Sequence, residues 1–246
     1  TNQVLTVGST GVPTWQSAGA VQDPSVSSNV VFMDEFMIPP HLHWRISIAD
    51  KALPYDQAKD DAIGIAQLDT VSGSNANSTS MISGNISLRG GLGSVVVKMR
   101  VLFQDLSAGG QTSELSLGLG DTPVDNTSSL GITNGAFFYL ENNADLQIRT
   151  AAGASLTSQA TSPLQTVVVD TWYKAEMIVT ANGAGTWTSI EFVWDGISVG
   201  TITTNLPNAV SQPFAPQVYI RKNAGNNGHS ILIDYYYLNY EMTAVR

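Results

Sequence analysis

The sequence has no cysteine, few charges and no long apolar run. The missing thiol excludes a disulfide scaffold, thiolate catalysis and a thiolate zinc site. Charged residues make up 13% of the chain, about half the usual share. Acidic residues outnumber basic ones, 20 to 11, for a formal net charge of -9. With no Lys/Arg cluster to offset that balance, a phosphate backbone is repelled, which argues against nucleic acid as a partner. No stretch approaches the roughly 20 apolar residues of a membrane-crossing helix, so no membrane insertion is expected. Only three histidines are present, too few without a local motif to infer a nucleophile–histidine–acid arrangement. What remains is a chain of 246 residues, 43% of them hydrophobic, long enough to bury roughly 70–75% of its unfolded surface.

The chain divides in two by composition. Residues 1–29 are rich in Gly, Ser, Thr and Gln, with Pro13, Pro24 and one large aromatic, Trp15. They read as an extended N-terminal arm with a short strand over Val4 to Val7, then a turn and linker. From about Val30 to residue 246 the pattern is strands. Val95, Val97, Met99, Val101 and Phe103 alternate with Lys98 and Arg100, the period of a half-buried strand. Segments from Trp172 to Thr180, Ser189 to Trp194, Ile197 to Thr203 and Ile231 to Tyr240 read alike. Asp195-Gly196 joins two of them as a tight hairpin, because such turns need positive φ. Tyr55 to Ala62 is the best helical candidate. The fold class is therefore all-β, a two-sheet antiparallel jelly-roll sandwich with an extended arm.

Two stretches resemble known families. Residues Asn2 to Gln16, with Gln3-Val4-Leu5-Thr6, Gly11, Pro13 and Trp15 in order, resemble a short module of bacteriophage tail fibres and related virion appendages. Phe32-Met33-Asp34-Glu35-Phe36, Thr171-Trp172-Tyr173, Phe192-Val193-Trp194-Asp195-Gly196, Asn205-Leu206-Pro207 and Ile233-Asp234-Tyr235-Tyr236 together resemble the concanavalin A-like sandwich domains of phage structural proteins. The resemblance implies a structural protein of a virion, in the tail or on the capsid surface, that works by assembly and binding. Other virion proteins are the expected partners. The apolar arm residues Val4, Leu5, Val7, Val12, Pro13 and Trp15 would mediate assembly, most simply as a homotrimer. The first alternative is a receptor module for a host surface glycan. The second is a glycan-degrading enzyme.

Glycan hydrolases of this sandwich class resemble one another in a strand motif, E-x-D-x-x-E or E-x-D-x-E, that directs carboxyls into one cleft. No such motif occurs here, so no enzyme is expected and no catalytic residue is assigned. Asp34 and Glu35 are adjacent and point to opposite faces of a strand, and Lys174 and Glu176 form a same-face pair. Lys98 and Arg100, opposite an apolar face, with Tyr236 from the tyrosine run at residues 235–237, are the candidate glycan contacts. His41 and His43 could offer two imidazoles to a metal from one face of an extended segment. Asp121, Asp125 and Asn126 supply loop oxygens of the kind calcium prefers, although an Asp that starts a turn explains Asp121 equally. No metal and no cofactor is expected.

Overall fold

The computed structural model describes residues 3–7, 13–17, 28–34, 44–48, 55–56, 65–70, 77–83, 88–89, 91, 93–105, 112–121, 132–141, 145–153, 155–162, 164–208, 213–224 and 228–242. Its strands, in chain order, are β1 (Gln3–Val7), β2 (Pro13–Ser17), β3 (Ser28–Asp34), β4 (Trp44–Ile48), β5 (Tyr55–Asp56) and β6 (Ile65–Asp69). Then come β7 (Asn77–Ser83), β8 (Leu88–Arg89), β9 (Gly93–Phe103), β10 (Thr112–Gly120), β11 (Gly135–Glu141) and β12 (Gln147–Ala152). The last are β13 (Ser155–Ala160), β14 (Trp172–Ala181), β15 (Trp187–Trp194), β16 (Ile197–Ile202), β17 (Pro213–Ala224) and β18 (Ser230–Met242). Tyr55 and Asp56 are thus strand and not the start of a helix. The rest of that expected helix lies outside the described residues.

Two eight-stranded antiparallel sheets face each other. The first runs β16-β15-β14-β9-β18-β6-β5, with β3 also on β18. The second runs β13-β12-β11-β10-β17-β7-β4, with β8 on β17. The all-β sandwich read from the sequence is the observed fold. The arm departs from its expected turn and linker: β2 pairs with β1 in a separate two-stranded sheet, in which Trp15 stands opposite Leu5.

The core lies between the sheets. Val95, Val97, Met99, Val101 and Phe103 of β9 are all buried on its inner face. Trp194 at the end of β15 packs 5.1 Å from the Tyr173 ring and 5.4 Å from Phe138 of the other sheet. Aromatic packing of this kind adds about 0.5–1.5 kcal/mol per pair beyond the area buried. The expected Asp195-Gly196 hairpin is present, with φ of 49° and 80° at its two central residues, the positive pair of a type I′ turn. Buried polar ties add to this. Within the first sheet the Trp187 indole donates to the Gly93 carbonyl at 2.8 Å, and across the core the Tyr236 hydroxyl, from the first sheet, donates to the Gly118 carbonyl of the second at 2.8 Å. Gly118 has to be glycine, because a Cβ there would strike the Ala136 carbonyl.

Candidate functional site

The outward face of the first sheet follows from alternation and one irregularity. With Val97, Met99 and Val101 inside, Lys98 and Arg100 are turned outward on β9. On β18, Ile231 and Ile233 face the core, but the register then skips from Ile233 opposite Val101 to Tyr235 opposite Arg100. Asp234 is the extra residue of a β-bulge. The skip reverses the phase, so that Tyr236, Leu238 and Tyr240 are buried and Tyr235 and Tyr237 are only partly covered. Lys98 is consequently flanked by Tyr237 on one side and Glu176 on the other.

These neighbours engage. Lys98 Nζ lies 2.8 Å from Glu176 Oε1, with side chains 44% and 25% exposed. Arg100 Nη1 donates to Asp234 Oδ2 at 2.9 Å, in a pair that is only 19% and 17% exposed. The Arg100 guanidinium also sits 4.6 Å above the Trp172 ring, within cation–π range. The exposed pair contributes little in water. The enclosed one holds its geometry, because separating it would strand a half-buried charge. Beside them an open trough of about 320 Å³ is lined by Met33, Lys98, Tyr235 and Tyr237. Burial, and then the Asp234 carboxylate, raise the Tyr235 phenol above its usual pKa. It is therefore a neutral hydrogen-bonding group at ordinary pH.

Of the three candidate glycan contacts, Lys98 and Arg100 stand on this face and Tyr236 does not. Tyr236 is fully buried and its hydroxyl is used across the core. Burial also raises its pKa well above the ordinary phenol value. Its place beside Lys98 and Arg100 is taken by its two neighbours, Tyr235 and Tyr237. Glu176 pairs across the strands with Lys98 and not along its own strand with Lys174, since directly opposed residues are closer than residues two apart on one strand. The Lys174 amide instead donates to the Asp195 carboxylate at 2.7 Å.

The acidic loop behaves as a turn anchor at its described end. Asp121 Oδ1 accepts from the Thr133 amide and Oδ2 from the Asn134 side chain, both at 2.9 Å. Asp125 and Asn126 lie outside the described residues, as do His41, His43 and the arm residue Val12. Val4, Leu5, Val7, Pro13 and Trp15 lie on the arm hairpin. Among the described residues no group of three or more His, Asp or Glu is placed to hold a metal.

The second sheet carries an arrangement that sequence reading missed. Leu115, Leu117, Leu119, Ala136, Phe138 and Leu140 face the main core. Phe137, Tyr139, Ala151, Tyr219 and Ile132 form a separate buried cluster on the opposite face. The Arg149 guanidinium lies 3.3 Å over the Tyr139 ring, held by bonds to Ser158 Oγ and Gln147 Oε1. Glu114, Ser116 and Gln217 are buried beside it. Glu114 stands opposite Arg221 on one neighbouring strand and opposite Glu141 on the other. The available signal was the unbroken apolar run Ala136 to Leu140, which suits a strand covered on both faces.

No family model and no curated protein matches this sequence. Solved structures do match in fold. A Shewanella oneidensis MR-1 protein of unknown function superposes with a TM-score of 0.57 at 14% identity, covering 89% of this chain and 90% of its own. The endo-1,3-beta-glucanase from Streptomyces sioyaensis gives 0.55 at 13% identity, over 89% of this chain and 98% of its own. The metal-free Emp46p carbohydrate recognition domain gives 0.53 at 9%, over 83% and 90%. The glucanase overturns the expectation that catalysis is excluded, because an enzyme is built on this sandwich over nearly its whole length. The absence of a motif within one strand does not exclude carboxylates that register brings together from two, as it does the backbone positions of Glu114 and Glu141. The chain is an all-β, concanavalin A-like sandwich of the kind shared by lectin domains and glucanases.

Proposed function

We propose that this chain recognises a glycan through the outward face of its first sheet. The observation that carries the reading is the trough formed by Tyr235, Tyr237, Met33 and Lys98, edged by two ion pairs. A sugar ring has an apolar C–H side and a rim of hydroxyls. Half-covered tyrosine rings and a methionine suit the former, and ion-paired side chains suit the latter. The likeness to a carbohydrate recognition domain and to a glucanase supports the same class of ligand. Calorimetric titration of oligosaccharides checks it. Tyr237→Ala is expected to weaken a bound saccharide about tenfold, the scale of one lost aromatic contact, while leaving the fold intact. Equal affinity in the variant would remove the site from this face.

Glycan cleavage is the second reading, favoured by the cross-strand opposition of Glu114 and Glu141. It predicts release of reducing ends that Glu114→Gln abolishes.

The setting we propose is a bacteriophage virion appendage, in the tail or on the capsid. The tail-fibre-like order of Gln3-Val4-Leu5-Thr6, Gly11, Pro13 and Trp15 supports it, as does an arm that pairs only with itself among the described residues. Labelled electron microscopy of intact particles tests the location. Light scattering tests the trimer, which Trp15→Ala should shift towards monomer.

A further inference from the structure

Resting on the glycan reading above, we infer that the trough selects an uncharged saccharide over uronate, sialylated or sulfated ones. The two cations beside the trough each have a carboxylate in contact. Lys98 is closed on Glu176 and Arg100 on Asp234. At physiological salt, charges more than about 8 Å away are screened, so this local pairing decides and not the net charge of the chain. An anionic sugar placed against Lys98 would have to displace Glu176 or lie beside it. The first breaks an existing pair and the second sets like charges together.

A neutral diol meets no such conflict. An ammonium has three donors and a carboxylate oxygen more than one lone pair, so the Lys98–Glu176 pair keeps a donor and an acceptor side by side. Of two vicinal hydroxyls, one accepts from Lys98 Nζ while the other donates to Glu176. The ion pair thereby serves as a hydroxyl-recognition element, and the adjacent Tyr237 ring supplies the apolar wall.

The test is an array of size-matched neutral and acidic oligosaccharides on the full chain, followed by calorimetry on the hits at low and high salt. The inference expects neutral hits whose affinity is insensitive to salt. It also expects Glu176→Gln, which frees Lys98, to improve binding of a uronate oligosaccharide about fivefold, the scale of one exposed ion pair. Lys98→Ala should weaken the neutral hit. Wild-type preference for acidic sugars, or affinity that collapses with salt, overturns the inference while leaving the glycan reading standing. A folded chain that binds nothing on the array overturns both.

Discussion

The two sheets present outward faces built by the same alternation, and the faces have opposite fates. That of the first sheet is open around the trough, with aromatic rings half covered and charges closed on one another across strands, and is covered, among the described residues, only toward Ile65, Leu102 and Leu232. That of the second is buried around Phe137, Tyr139 and Tyr219. An outward position on a strand therefore does not decide exposure. What lies over the sheet does, and side-chain energetics follow from that cover.

The strongest way to break this contrast is Phe137→Ala. If the second sheet's outer face is a true core, the substitution should cost about 3–5 kcal/mol in denaturant unfolding, as for other buried phenylalanines. A surface-like cost would dissolve the distinction. Tyr236 offers a test through pH. Burial keeps its phenol protonated in the folded protein above the ordinary value of 10.0, whereas the unfolded chain ionises near pH 10. The unfolded state then binds fewer protons, so this contribution is intact below that pH and falls as pH rises past it. Urea midpoints should decline on the alkaline side, and Tyr236→Phe should flatten the decline. Arg100→Ala removes the enclosed pair with Asp234 and the stack on Trp172, and should cost about 1–3 kcal/mol. The smallest effect belongs to Lys98 and Glu176. A double-mutant cycle should return below about 1 kcal/mol of coupling, because the pair is exposed.

Much of the fold was legible. The long amphipathic strands β9 and β14 carry a period of two, on β9 as far as Val101, and Asp195-Gly196 declares its turn by residue type alone. The site was legible only in part. Lys98 and Arg100 were found because their strand alternates without interruption around them. Tyr236 was misplaced because a bulge is a property of two paired strands, and the tyrosine run reads equally well in either phase. Glu114 and Glu141 went unnoticed for the same reason: their meeting is set by register, which a linear motif does not contain. The covered face of the second sheet could be suspected from the run Ala136 to Leu140, but polar Glu114 and Gln217 disguise their own strands as solvated.

The bulge at Asp234 also governs which changes of length this chain can survive. Losing a residue from a surface loop alters little beyond closure entropy. Deletion of Asp234 would remove the bulge and leave the pleat in phase, because Tyr235 would follow Ile233 opposite Arg100 as it does now. Tyr236 would stay inside on its bond to Gly118, and what would vanish is the carboxylate partner of Arg100. Descendants of this sequence should therefore tolerate a one-residue gap at Asp234, losing only the partner of Arg100. A gap farther along, between Tyr236 and Tyr240, would turn the residues after it to the other face.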